Sequence, residues 1–300
     1  MSIEPKSQPS RKEETILINM SLQGDPAELK SGFASRTFVM KCGGSTLNEL
    51  PDSFFEDLIG LQKRGIQPVI VHGGGPAISE NLGRLGIETQ FVNGLRYTSE
   101  EVLDVVEMVL SGTINKQIVR RIQKLGGQAL GLSGVDGFLI QARPVANSVE
   151  VGLVGEVTDV KSSIIQGVVE LGYMPIIAPV GVDAAGQRYN INADTAAGAV
   201  ASKLGVQQMV VVTDVPGIMT TIGGTKKVLS TVTVQQIEDM IHTGEIYGGM
   251  IPKVRAAIAC IHGKVNEVII VNGSEPNVLS RVMDGEAIGT RIVRMNSSRK

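Results

Sequence analysis

From Arg36 onward, short continuous apolar runs alternate with longer stretches in which apolar residues recur three and four apart. Thr37–Lys41 and Pro68–Val71 are such short runs, and both predict buried strands. Each is followed by glycines, Gly43-Gly44 after the first and Gly73-Gly74-Gly75 after the second. Between them, Asp52–Lys63 sets Phe54, Phe55, Leu58, Ile59 and Leu61 on one side of a predicted helix. Pro76–Leu85 predicts another helix. Glu100–Leu110 and Thr113–Leu125 predict two more, broken at Gly112. Gln128–Leu132 predicts a strand, Phe138–Ala142 with Val149–Val157 an alternating hairpin, Ile164–Leu171 a helix and Met174–Pro179 a strand. The theme then repeats. Ala193–Leu204 is an alanine-rich helix, Gln208–Thr213 a buried strand, Val234–Ile241 and Lys253–Ile261 helices, and Glu267–Val271 a strand. Alternating strands and helices predict an α/β fold with a mainly parallel central sheet covered on both faces. The connection from Val180 to Asn190 is the expected boundary between two lobes.

Ahead of this pattern, Met1–Glu14 is polar and predicts a disordered tail. Thr15–Leu22 is more apolar, a stretch suited to docking. Asp25-Pro26-Ala27-Glu28 has the residues of an N-cap, a first-turn proline and a capping glutamate, which predicts a short helix ending near Gly32. Residues 1–33 are therefore expected to form a partly disordered extension.

Composition narrows the function classes. The 300 residues carry a formal net charge of −2, which gives no reason to expect nucleic acid or an anionic membrane as partner. Cys42 and Cys260 are the two cysteines, too few for a disulfide framework, so a reducing cytoplasm is expected. No apolar run is long enough to span a bilayer, and the N-terminal residues lack a signal-peptide core. Glycine occurs 36 times without low complexity, which suggests tight turns and close backbone–ligand approaches.

Five segments have the residue types for chemistry. In Lys41-Cys42-Gly43-Gly44 a lysine at a strand end precedes glycines whose amides can approach phosphate oxygens; a plain turn with a surface lysine has the same pattern. In His72-Gly73-Gly74-Gly75-Pro76 three glycines lead into a proline-started helix, an arrangement that suits an anion better than a simple turn. His72 suits an acid–base role, but a histidine ending a strand is more often structural. Asn93-Gly94-Leu95-Arg96 places an arginine just past a bend, where it can grip a carboxylate or form an ordinary surface ion pair. Asn190-Ile191-Asn192-Ala193-Asp194 turns Asn190, Asn192 and Asp194 to one side if extended, with Asp194 also a candidate N-cap. Gly248-Gly249-Met250-Ile251-Pro252-Lys253 puts a lysine in a first helical turn, where it opposes the helix dipole unless an anion shares the site. The G-x-x-x-x-G-K-[ST] motif is absent, which excludes the P-loop way of binding ATP.

Together and in this order, with Thr213-Asp214-Val215-Pro216-Gly217, these segments resemble the amino acid kinase family over Thr37–Val293. The Asn93-Gly94-Leu95-Arg96 element resembles the branch whose acceptor is N-acetyl-L-glutamate, the substrate of the second step of arginine biosynthesis; kinases of acetylaminoadipate, carbamate and aspartate look different there. The resemblance implies a three-layer αβα sandwich, with an acceptor lobe over residues 34–180 and a nucleotide lobe over 181–300. It implies that Lys41 and Lys253 stabilise the transferring phosphoryl group, that Gly44 and Gly74 donate N–H groups to it, and that Asp194 orients both lysines. Gly74, Gly75, Arg96 and Asn190 match acceptor contacts, with Arg96 on the α-carboxylate, whereas Gly43, Asp214, Gly217 and Tyr247 lie where the family binds nucleotide. ATP and Mg²⁺ are the implied cofactors, with the ion held by phosphates and water rather than by protein ligands.

Arginine-inhibited members resemble one another in a longer N-terminal helix and a C-terminal signature. Here Gly24-Asp25-Pro26 interrupts the extension, and Asn272–Asn277 lacks the histidine of that signature although Gly289-Thr290 is present. A homodimer without arginine control is the expectation. Two other functions fit the same residues: a sister kinase acting on acetylaminoadipate, one methylene longer, and a nucleotide- and amino-acid-binding sensor without catalysis. The joint presence of Lys41, Asp194 and Lys253 weighs against the sensor.

Overall fold

In the strand Thr37–Cys42 (β1), Phe38, Met40 and Cys42 point to one face of the sheet and Val39 to the other, and all four are buried. A strand apolar on both faces must be covered on both, and this fixes its central place. The computed structural model describes residues 32–222, 225–248, 250–262 and 265–294. The expected N-terminal tail, the Thr15–Leu22 stretch, the helix begun at Pro26 and Gly249 lie outside the described residues.

Seven further strands complete the sheet: Gln67–His72 (β2), Ala129–Ser133 (β3), Met174–Ala178 (β4), Gln208–Thr213 (β5), Thr231–Thr233 (β6), Glu267–Asn272 (β7) and Thr290–Val293 (β8). Their order is β6-β8-β7-β5-β1-β2-β4-β3. All neighbours run parallel except β7 and β8. One face packs on the helices Ala193–Leu204, Met250–His262 and Ser162–Glu170 through Val39, Val71, Val211 and Ile270. The other packs on Asp52–Lys63, Gly75–Arg84 and Val278–Met283 through Met40, Ile70, Val212 and Val271. This is the expected three-layer αβα sandwich.

Four strands, Ile140–Pro144, Val154–Val160, Val180–Val182 and Arg188–Ile191, close into a small barrel beside the sheet. The Val180–Asn190 connection is thus paired backbone. Two expectations are corrected. The Val149–Val157 strand begins only at Val154, because Ser148–Val151 coils into a short helix and Gly152 turns at φ +68. Gly152 lies so close to Thr98 that an added Cβ would sit 2.3 Å from the Thr98 carbonyl oxygen. Nor do the helices break at Gly112: Glu100–Glu107 runs through a π-helical segment, Met108–Ile114, into Asn115–Lys124. Gly112 keeps a negative φ, and the wider π winding carries the chain past it.

Candidate active site

The site grows from the carboxyl ends of two adjacent parallel strands, where α/β folds bind ligands. Lys41 pairs in register with Val71 and Cys42 with His72, so both glycine loops leave the sheet side by side. The Gly73 N–H donates to the Cys42 carbonyl at 2.9 Å. Gly44 packs onto the second loop so closely that an added Cβ would lie 2.4 Å from the Gly74 Cα. Gly74 in turn is pressed by Leu110 and Ile114 of the π segment, at 2.6 and 2.4 Å from an added Cβ. Any side chain at Gly44 or Gly74 would wedge the loops apart.

Lys41, on β1, meets Asp194 at 3.0 Å, with both side chains less than one-fifth exposed. The first turn of the Ala193–Leu204 helix supplies Asp194. Its N-cap is Asn192, whose Oδ1 accepts from the Asp194 and Thr195 amides. Asp194 is thereby free of the capping duty it was a candidate for.

Gly74, Gly75, Arg96, Asn190, Asn192 and Asp194 all line one cavity of about 190 Å³. Arg96 is buried, its guanidinium donating to the Gly75 carbonyl at 3.0 Å, Ser79 Oγ at 2.8 Å and Thr89 Oγ1 at 3.4 Å. The Phe91 ring lies 4.7 Å beneath it. Burial lowers the Arg96 pKa, and among the described residues no carboxylate pairs with it. A buried cation surrounded by neutral oxygens leaves its charge for an anionic ligand. Asn190 is held by Thr98, whose Oγ1 accepts from Asn190 Nδ2 at 3.2 Å and donates to the Arg96 carbonyl at 2.8 Å.

Lys253, in the first turn of the Met250–His262 helix, meets Asp214 at 3.2 Å. Asp214 follows β5, and its own backbone and then Lys253 hold its pKa below the usual carboxylate value. The expectation that Asp194 orients both lysines therefore differs from this geometry, in which each lysine has its own aspartate. The cause is placement: Asp194 leads the helix facing β1, whereas Lys253 rises beside the loop after β5. Gly217 and Tyr247 line a second cavity, of about 630 Å³, with Met219, Lys226 and Met250. Neither Gly43 nor Asp214 lines it.

Ser79, Thr98 and Leu110 were absent from the sequence-based site. Ser79 sits one helical turn after Gly75 and Thr98 two residues after Arg96, so each had a local signal. Leu110 lies in the π segment, a stretch expected to be a helix broken at Gly112.

The model of the Amino acid kinase family matches residues 36–272. An acetylglutamate kinase from Oceanobacillus iheyensis is 46% identical over 255 residues, 85% of this chain and 96% of that protein. One from Brevibacillus brevis is 47% identical over 260 residues, 86% of this chain and 97% of that protein. Among solved structures, smu.665 from Streptococcus mutans is similar at a TM-score of 0.74 and 29% identity, covering 87% of this chain and 99% of that one. With its glycine loops, lysine–aspartate pairs and sandwich in place, the chain belongs to the amino acid kinase family and groups with its acetylglutamate kinases.

Proposed function

We propose that the protein transfers the γ-phosphoryl group of ATP to the side-chain carboxylate of N-acetyl-L-glutamate, the second step of arginine biosynthesis. The carrying observation is the buried Arg96, which pairs with no carboxylate among the described residues, in the same cavity as the glycine loop and Asp194. The names of the relatives supply the acceptor. Arg96 takes the α-carboxylate through its fork of N–H donors, helped by Asn190, and leaves the side-chain carboxylate facing the loops. An ionised carboxylate is already nucleophilic near neutral pH, so no general base is required.

The difficulty is repulsion between two anions. The Lys41 and Lys253 ammonium groups and the amides of Gly44 and Gly74 supply positive potential where charge shifts in the transition state. Asp194 and Asp214 hold the lysines in place. Residues 34–180 then form the acceptor lobe and 181–300 the nucleotide lobe, with Gly217 and Tyr247 against the nucleotide and Gly43 and Asp214 near its phosphates.

Magnesium fits this site as a passenger of the nucleotide. Among the described residues no group of three or more His, Cys, Asp or Glu side chains is placed to hold an ion. Phosphate oxygens and water would carry it, and it would neutralise phosphate charge. A homodimer in the cytoplasm completes the reading. The edge strand β3, with Leu130 39% exposed, supports a second copy, and among the described residues no helix is long and apolar enough to cross a membrane.

Trapping the acyl phosphate with hydroxylamine tests the function. Hydroxamate should form with N-acetylglutamate and MgATP. A yield with acetylaminoadipate but not with acetylglutamate overturns the acceptor, and no yield with either supports the sensor.

A further inference from the structure

Beneath the triglycine loop lies a buried polar cluster that no part of the phosphoryl-transfer scheme uses. His72 ends β2 with its imidazole fully enclosed, and Asn115, which opens the helix after the π segment, is enclosed beside it. Asn115 Nδ2 donates to the Ile176 carbonyl at 2.8 Å and the Leu132 carbonyl at 3.2 Å. Asn115 Oδ1 accepts from the Lys116 ammonium at 3.0 Å, and the same ammonium donates to the Gly131 carbonyl at 3.2 Å. Two carbonyls can only accept and an ammonium can only donate, so the orientation of the Asn115 amide is dictated by its partners.

That orientation decides the histidine. His72 Nε2 faces the Asn115 NH₂ group at 3.3 Å; that group shares its two hydrogens among this nitrogen and the Ile176 and Leu132 carbonyls and can accept none, so a proton on Nε2 would find no acceptor there. The proton of the neutral ring then sits on Nδ1, 3.2 Å from the Gly73 carbonyl oxygen, and donates to it. Burial, with Lys116 nearby, keeps the ring neutral by lowering its pKa to about 4.

The Gly73–Gly74 peptide is trans, so its N–H points opposite to its C=O. Drawing the Gly73 carbonyl onto the imidazole sends the Gly74 N–H away from the buried cluster. Gly44 packs against the same peptide, and Leu110 and Ile114 pack against Gly74, so these neighbours limit how far it can turn. We propose that His72, locked by Asn115, is a positioning residue for phosphoryl transfer: its Nδ1–H holds the Gly73 carbonyl inward and so aims the Gly74 N–H at the transferring group. This inference rests on the function proposed above and adds the element that orients one of its donors. Asn115 thereby ties the loop to β3 and β4, two strands whose residues line neither of the cavities described above.

Two measurements test it. Long-range ¹H–¹⁵N spectra of the full-length wild type, with His242 and His262 replaced in turn for assignment, report the His72 tautomer without any substrate. The Nδ1–H form is expected at neutral pH, and an Nε2–H form overturns the proposal. In the hydroxamate assay, His72→Gln, whose amide reaches only the Nε2 position, should lower kcat about 10- to 100-fold, because a misaimed donor costs less than a deleted one. The KM values for both substrates should stay within about threefold. His72→Asn, whose amide takes the place of Nδ1, should recover most of that loss. Equal kcat in the two variants at matched folded fraction also overturns the proposal. If neither variant folds, the tautomer decides. A wild type that forms no acetylglutamyl hydroxamate defeats the proposed function, and the tautomer still reports on the geometry.

Discussion

Lys41 and Asp194 face each other at 3.0 Å, one from the central strand and the other from the first turn of a helix packed over it. Lys253 has a separate partner in Asp214 at 3.2 Å. The two lysines therefore belong to two electrostatic units. Lys41→Ala and Lys253→Ala should each lower kcat about 10²- to 10³-fold, the usual cost of deleting one oriented donor. In double-mutant cycles, Asp194→Ala should couple to Lys41→Ala and be nearly additive with Lys253→Ala. Strong coupling between Asp194 and Lys253 would mean that the cleft rearranges around substrate.

Arg96→Lys keeps the charge and loses the planar fork that reaches Gly75 and Ser79 together. A lost hydrogen bond to a charged group is worth about 1.5–3 kcal/mol, so KM for acetylglutamate should rise about 10- to 100-fold. KM for ATP should stay within about twofold. A larger effect on ATP would place Arg96 on the wrong substrate.

Two glycine-to-alanine substitutions should act in opposite directions. Gly44→Ala drives a methyl group to 2.4 Å from the Gly74 Cα, where backbone rather than a flexible side chain must yield, and activity should collapse. Gly60 lies inside the Asp52–Lys63 helix with nothing within 4 Å of an added Cβ. Gly60→Ala should stabilise the fold by about 1 kcal/mol with unchanged kcat. Thermal unfolding and kcat measured side by side check both.

His72 gives the protein an acid sensitivity of defined sign. Its folded pKa is lowered to about 4 from 6.5, chiefly by burial, so the unfolded chain takes up the proton first as pH falls. The stability contribution is complete above 6.5 and is lost progressively toward 4. Between pH 7.5 and 5 this amounts to about 2 kcal/mol. Urea titrations should show that loss in the wild type and a flatter dependence in His72→Gln. Equal slopes would show that His72 titrates normally.

Cys42 and Cys260 are both buried, and burial pushes both thiols up to about 12. Neither should react with a thiol-specific disulfide reagent at pH 8 in the folded protein, and both should react after denaturation. Rapid native-state labelling of either would show that its surroundings open.

The alternation of apolar strands and amphipathic helices was legible because both faces of the sheet are covered, so each strand reads as a continuous apolar run. The glycine loops and Arg96 were legible because their residue types are costly where nothing requires them. Short strands such as Val180–Val182 and Thr290–Val293 went unread, since three or four residues show no period and their pairing is decided by distant chain. The partner of Lys253 went unread for the same reason. Asp214 and Lys253 are far apart in sequence, and nothing local distinguishes Asp214 from Asp194 as the carboxylate that reaches it.

Buried residues along Glu100–Lys124 recur every fourth position: Val102, Val106, Leu110, Ile114, Ile118 and Ile122. In an ordinary α-helix a four-residue spacing overshoots a turn by about 40° at each step, and the stripe would drift around the rod. The π segment unwinds that drift midway, acting as a vernier between two stretches of helix. Removing a single residue from it, Gly112 for instance, would return the rod to uniform α winding. Everything after it would then keep nearly the same facing, because a π turn closes with one residue more than an α turn, and Asn115 would still meet the sheet. The extra residue is thus absorbed in the winding of the rod and leaves the buried cluster under the triglycine loop facing the sheet.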